Sequence, residues 1–317
     1  MATTATAAST PAASPSLAVG LVLATLGAVA FSGKAIIVKL AYRHGVDAVT
    51  LIMLRMLFAL PFFLVMTWWA SRRTPDRQPP PLTRKDVLGI VWLGVTGYYL
   101  ASFLDFAGLQ YITASLERLI LYLNPTLVLL LGLVLFGRRI GRRQAMGMAI
   151  SYAGVLLVFG HEVTLQGADV ALGAVLVFLS AVSYALYLFY SGEMVQRLGS
   201  MRLVGLATSV ACLLCIAQFV ILRPLDTAFA VAPEVIWLSV LNATLCTVVP
   251  VMMVMMAIER IGSGLAAQVG MVGPMSTMIM GVLVLGEPFT AWLVGGTVLV
   301  IAGVFVCSRA SSYTRPA

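Results

Sequence analysis

The sequence predicts an all-α polytopic membrane protein of ten transmembrane helices, built as two inverted repeats of five, with both termini cytoplasmic. Three observations predict it. The 317-residue chain is 61% hydrophobic and only 10% charged, with a mean hydropathy of +1.01, whereas soluble domains are nearer a quarter charged. Ten apolar runs approach or exceed the length needed to cross hydrocarbon, which takes about 20 residues at roughly 1.5 Å each. Finally, a stretch of the chain recurs 149 residues later.

Residues 1–16, MATTATAASTPAASPS, are low in complexity, uncharged and poor in apolar bulk, the composition of a disordered tail. The first charge is Lys34. No basic region precedes the first apolar core, as a cleaved secretory signal would require, so the first span, 17–39, is expected to stay. Spans 48–70, 87–108, 113–136 and 144–161 complete the first repeat, 17–161. Spans 168–191, 202–222, 234–257, 262–285 and 289–308 make the second, 168–308, and residues 309–317 form a short tail. No connection is long enough for a soluble domain. Only helices and closed barrels satisfy every backbone group in lipid, and runs this continuous read as helices.

The twenty basic residues sort by side. With the N-terminus inside, fourteen fall in the inner connections 71–86, 138–143, 192–202 and 258–261 and in the C-terminal tail. Three (Lys39, Arg43, Arg223) fall outside, and Lys34, Arg55 and Arg118 lie within spans. This is the positive-inside bias of a bacterial-type inner (plasma) membrane protein, and it explains the net charge of +8 better than a nucleic-acid partner would. Arg138, Arg139, Arg142 and Arg143 are therefore read as topology anchors. Across the repeat their corner becomes Glu-Pro-Phe-Thr-Ala-Trp, which leaves Glu287 free to sit on the outer side.

Segments 112–157 and 261–306 align at the constant offset of 149 with nine identities, including Pro125/Pro274, Gly137/Gly286, Gly147/Gly296 and Gly154/Gly303. Spans one and six align at offset 153 through Gly20/Gly173, Leu23/Leu176, Leu26/Leu179 and Ala28/Ala181. An odd number of helices per repeat turns the second copy upside down. Inverted repeats of this kind characterise secondary transporters, whose substrate site lies near the midplane between halves.

The passages GLQYITASLERLILYLNPTLVLLLGLVLFGRRIGRRQAMGMAISYAGVLLVF and AIERIGSGLAAQVGMVGPMSTMIMGVLVLGEPFTAWLVGGTVLVIAGVFV resemble the second half of an EamA domain, and LRMLFALP around Arg55 is similar to its arginine-bearing second helix. The resemblance covers residues 17–308. It implies the drug/metabolite transporter superfamily: ten helices, two EamA repeats, a central cavity, and export or exchange of small metabolites, among which amino acids are frequent. The first repeat departs from the pattern at Gly137-Arg138, where the family has Gly-Glu, and at FSGK in span one, where Trp-Gly is common.

Ionisable residues inside lipid are costly and make default site candidates. Lys34, Arg55, Asp105, Glu117 and Arg118 group at similar depth in the outer half of the first repeat. Tyr98, Ser102 and Asp105 follow i, i+4, i+7 and are expected on one face, as are Ser115, Arg118 and Tyr122. The second repeat offers Ser180, Ser183, Tyr184, Tyr187 and Ser191 as an uncharged aromatic stripe. The functional reading puts a substrate carboxylate on Arg55 or Lys34 and an amine, or a coupling proton, on Glu117 or Asp105. The alternative is that these charges pair among themselves and hold the helices together. Pro125 and Pro274 are expected to kink their helices at equivalent points, as hinges or as static bends.

Other signals are bland. The CxxC of Cys212 and Cys215 lies in an apolar run without a second pair, and a packing role is expected of it, as of Cys246 and Cys307. His44 and His161 are expected to be solvated. No GxxxxGK[ST], HExxH or GxSxG occurs, so neither metal nor cofactor is called for. Span one holds lysines rather than the glutamate that small multidrug exporters use there. The expected partners are the bilayer and a small zwitterionic or anionic substrate, with proton coupling as an option and either a monomer or a homodimer as the assembly. The reading that results is a secondary exporter of amino acids or related metabolites by alternating access. An exchanger or importer of organic anions is the alternative within the superfamily, and a membrane enzyme or non-transporting sensor the alternatives outside it.

Overall fold

A computed structural model describes residues 15–72, 80–137 and 139–312. The expected N-terminal tail lies almost wholly outside these residues, as do Arg138 and residues 313–317. The described chain is helical, without strands: α1 (Pro15–Tyr42), α2 (Ala48–Ala70), α3 (Arg84–Leu93), α4 (Ala101–Gly108), α5 (Ala114–Leu121), α6 (Asn124–Phe136), α7 (Arg142–Gln166), α8 (Asp169–Leu198), α9 (Ser200–Leu222), α10 (Pro233–Ala243), α11 (Val249–Val269), α12 (Val272–Met280) and α13 (Ala291–Ser312). Eight helical segments are long and apolar enough to cross a membrane, and two shorter apolar ones, Val272–Leu285 and Ala291–Cys307, accompany them.

Polar side chains start several helices by taking up their orphan amides. Asp47 caps α2, accepting from Val49 N at 3.1 Å. Partial burial would raise its carboxyl pKa, but hydrogen bonds from Thr50 and Arg223 and the Arg223 charge outweigh this and hold it below the usual carboxylate range. Thr83 and Asp86 form a reciprocal capping box at α3. At the far end of α6, Gly137 turns the chain at φ 62°, and its counterpart Gly286 does so at φ 73°. Both are left-handed conformations that a side chain resists.

α3 and α4 are joined without interruption by a π-helical segment, Gly94–Leu100, and α10 and α11 by another, Thr244–Val248. The two lie at matching points of the repeat. The chain also departs from expectation between spans eight and nine. No turn forms at 258–261; α11 runs through it to Val269, and the break falls at Gly270-Met271. The charged Glu259-Arg260 pair suggested a loop, but nothing in Ile258-Glu259-Arg260-Ile261 breaks a helix, and the sharper interruption comes where Pro274 follows.

The two halves interleave. α7 packs most extensively on α13, and α1 on α11. A Cβ on Gly147 would lie 2.6 Å from Gly303 O, and one on Gly154 would lie 2.7 Å from Gly296 O. The order of these pairs makes α7 and α13 antiparallel. Since Gly147 matches Gly296 and Gly154 matches Gly303 in the repeat, the partners swap, as a two-fold axis between Ser151 and Val300 would dictate. Ser151 Oγ indeed reaches Val300 O at 3.4 Å. Small residues permit this backbone approach in lipid. Gly303→Val is expected to cost about 1–3 kcal/mol by overpacking, read as a lowered melting temperature in detergent. Gly160→Val, where a Cβ meets nothing within 4 Å, should leave it unchanged.

Helix ends gather at two poles. At one, Arg223 pairs with Asp47 at 3.2 Å, Lys39 donates to Leu109 O at 3.0 Å and Ile112 O at 2.9 Å, and Arg43 donates to Leu285 O at 2.7 Å. At the other, Arg197 pairs with Asp86 at 3.0 Å and Arg202 donates to Pro80 O at 2.7 Å.

Candidate functional site

The five charges of the first repeat are brought to the middle of the bundle, and the structure divides them into three environments. α1 supplies Lys34, α4 Asp105 and α5 Glu117. Lys34 Nζ lies 2.5 Å from Asp105 Oδ2 and 3.3 Å from Glu117 Oε1, so one ammonium faces two carboxyl groups. All three are buried, Glu117 completely. In a medium of low dielectric such a pairing is strong, though each ion has been taken out of water to make it.

Arg118, on the next face of α5, bonds to other elements. Its Nε donates to Thr277 Oγ1 at 3.1 Å and its Nη2 to Ser32 Oγ at 3.0 Å. Ser32 Oγ in turn donates to Gly273 O at 2.9 Å. Tyr122 OH donates to Gly270 O at 2.8 Å, and Ser115 Oγ to Glu287 Oε2 at 2.6 Å. Ser115, Arg118 and Tyr122 thus share the face expected of them, and that face lies along α12 and the turns flanking it. Arg118 joins the repeats through these two bonds.

Arg55 is different. It sits on α2 at 5% exposure, with its guanidinium 5.0 Å from the Phe106 ring. Among the described residues its Nε and Nη1 have no hydrogen-bond partner. Cys215, Asp105, Cys212 and Cys246 are its electrostatic neighbours. The ring offers a weak cation–π contact that leaves the in-plane donors unused. Glu117 also lacks a well-directed hydrogen bond on either oxygen. On α10, which packs against both α1 and α2, the buried Ser239 hydroxyl and Asn242 amide are unpartnered as well.

The aromatic candidates form a separate group. Tyr98 and Tyr187 approach with hydroxyls 3.3 Å apart and ring centroids 5.1 Å apart, and Tyr184 stacks on Tyr187 at 5.4 Å. The expected common face of Tyr98 and Asp105 is not realised: Tyr98 meets α8 while Asp105 meets α1. The π-helical turn through Tyr98 adds a residue to the spacing, which an α-helical count cannot foresee.

Each proline follows an interruption of its span. The chain breaks at Tyr122-Leu123 and at Gly270-Met271, with Tyr122, Leu123 and Met271 still helical in backbone. The carbonyls that Pro125 and Pro274 leave without their α-helical amide, Leu121 O and Gly270 O, are taken by Asn124 Nδ2 at 2.7 Å and Tyr122 OH at 2.8 Å. Glu287 accepts from Ala114 N at 2.7 Å and from Ser115 N at 3.3 Å. Glu162, passed over in the sequence, binds Thr113 through both its amide and its hydroxyl. His161 stacks on Trp292 at 5.8 Å rather than standing in solvent, whereas His44 is exposed. Met252 and Met280 pack on one apolar core and Met271 and Met278 on another. Arg139, Arg142 and Arg143 are exposed around the start of α7.

The sequence pattern of the EamA-like transporter family matches residues 18–160 and again 171–309. The chain belongs to the EamA-like transporter family. Membership in the drug/metabolite transporter superfamily fits this match. The transporter is 31% identical over 300 residues to the uncharacterized transporter YcbK of Bacillus subtilis (strain 168), covering 90% of this chain and 93% of that one. It is 28% identical over 232 residues to the uncharacterized transporter YyaM of the same organism, covering 71% and 74%. A solved crystal structure superposes on this EamA-like transporter with a TM-score of 0.62 at 16% identity, across 94% of this chain and 98% of that chain. That likeness concerns the fold alone.

Proposed function

We propose that this membrane transporter is a secondary exporter of amino acids or related small metabolites, working by alternating access, with Arg55 receiving the substrate carboxylate. One observation carries the reading: a guanidinium buried among apolar helices with two donors unused. An unpaired buried cation is expensive, and a planar carboxylate matches its donors in pairs. Glu117, with no well-directed hydrogen bond, can accept a substrate amine or carry a coupling proton; Ser239 and Asn242 add neutral polar contacts from the second repeat. A second reading, exchange of organic carboxylates, is favoured by one feature. Across the five buried charges, three cations (Lys34, Arg55, Arg118) face two acids (Asp105, Glu117), a surplus of one positive charge.

In the same proposal, ten segments cross the bacterial inner membrane as two inverted EamA repeats, with the poles at 138–143 and at both termini cytoplasmic. Arg142 and Arg143 open α7, where cations oppose the helix dipole. Helix stability therefore does not account for them, and membrane orientation does. Catalysis has no role in this reading.

The purified transporter in liposomes is expected to move amino acids against a counter-gradient, with uptake altered by an imposed pH gradient if a proton is coupled. Flux confined to carboxylates without an amine would establish the second reading. No flux of amino acids, carboxylates or nucleosides in correctly oriented protein would refute both.

A further inference from the structure

We infer that Glu287 is a positioning residue that latches α5 from the opposite repeat and keeps the outer end of the pathway shut in the resting protein. α5 has eight residues, bounded by the turn at 109–113 and the break at Tyr122-Leu123, and it carries both Glu117 and Arg118. Its first amides have no partners within the helix. Glu287 Oε1 takes that of Ala114 at 2.7 Å, and Oε2 takes that of Ser115 at 3.3 Å together with the Ser115 hydroxyl at 2.6 Å. A carboxylate at this position also meets the positive end of the helix. Glu287 comes from the turn leading to α13 and lies pressed over Gly281, where a Cβ would sit 2.6 Å from Oε2. Parting α5 from α12 breaks all three bonds together. Lys39 and Arg43 hold the neighbouring turns at the same pole.

Among the described residues no carboxylate caps a helix of the other repeat in this way at the opposite pole, where the repeats are joined instead by Arg197 with Asp86 at 3.0 Å and by Arg202 donating to Pro80 O. The counterpart of Glu287 is Arg138, a side chain with no acceptor. The counterparts of Ala114 and Ser115 are positions 263 and 264, which lie within α11, where amides are spent inside the helix. A protein whose outer pole is held by bonds to helix amides, and whose inner pole is held by an ion pair with Arg197 46% exposed, rests shut at the outer pole and opens more readily at the inner one. On the transporter reading proposed above, that is the state in which an exporter loads from the cytoplasm.

Cys212, Cys215 and Cys246 are buried electrostatic neighbours of Arg55 and report opening without added thiols. In right-side-out vesicles, a membrane-impermeant maleimide is expected to label them at least roughly tenfold faster in Glu287→Ala than in wild type, with the labelled residue assigned by mass spectrometry. Ser115→Ala, which keeps the carboxylate on the amides, should shift labelling in the same direction by less, and it stands in if Glu287→Ala fails to fold. The KM for substrate on the inner side should rise with the labelling rate while the maximal rate changes less. Equal labelling of wild type and both variants, or faster labelling only in inside-out vesicles, overturns the latch whatever the flux. Faster labelling with no flux of any solute in wild type supports the latch and overturns the transporter reading instead.

Discussion

Arg55→Met is expected to cut transport about a hundredfold or more while leaving the protein at least as stable as wild type. Both halves follow from the unused donors. Charge-assisted hydrogen bonds are worth about 1.5–3 kcal/mol each, and losing a bidentate pair of them would remove two from the bound state. The folded protein loses no hydrogen bond through Nε or Nη1, because these donors make none among the described residues, and it is relieved of a buried charge whose desolvation only the Asp105 charge and the Phe106 ring offset. Methionine keeps most of the volume beside Phe106. Initial-rate flux in liposomes and thermal melting in detergent measure the two quantities. Arg55→Lys should recover little, since an ammonium cannot reproduce the planar fork. A destabilised variant with normal flux would show that the guanidinium is structural.

Lys34→Met is expected to do the reverse and destabilise the fold severely. Its ammonium is the shared counter-ion of Asp105 and Glu117. Removing it leaves two carboxyl groups facing each other in the bundle, and breaking a buried ion pair in this way costs about 3–5 kcal/mol. Adding Asp105→Asn and Glu117→Gln to Lys34→Met should restore much of the melting temperature, since replacing a whole buried ionic cluster by neutral groups avoids the uncompensated charge. The triple variant should still fail to transport if Glu117 meets the substrate or a proton. An unchanged melting temperature in Lys34→Met would mean that the ammonium is not what balances the acids. The contrast between Arg55 and Lys34, two buried cations on neighbouring helices, is the sharpest separation of binding from packing that this site offers.

Much of this was legible in the residues. Lys34, Arg55, Asp105, Glu117 and Arg118 stood out because ionisable groups within apolar runs are rare, and the structure buries all five. The face shared by Ser115, Arg118 and Tyr122 followed from α-helical spacing and is realised along α12. Spacing misled where the helix is not α: the π-helical turn through Tyr98 sends it to Tyr187 and away from Asp105. Pro125 and Pro274 were visible as equivalent, and the chain is interrupted within the turn before each, but that side chains of Asn124 and Tyr122 take up the freed carbonyls was not legible. The role of Glu287 was not legible in the sequence, because its partners, Ala114 and Ser115, lie in the other repeat.

The sequence alone determined the helical membrane class, the family, the internal repeat and the list of charged candidates. Hydropathy, glycine placement and charge are properties read one residue at a time along the chain, and lipid penalises each position nearly independently. Only the tertiary structure decided which candidate is spent and which is available. Lys34 and Arg118 find partners on other helices, whereas Arg55, equally buried, keeps two donors unpaired. Pairing depends on the register between helices far apart in sequence, at distances of about 3 Å where a single turn of displacement, roughly 5.4 Å, exchanges one partner for another.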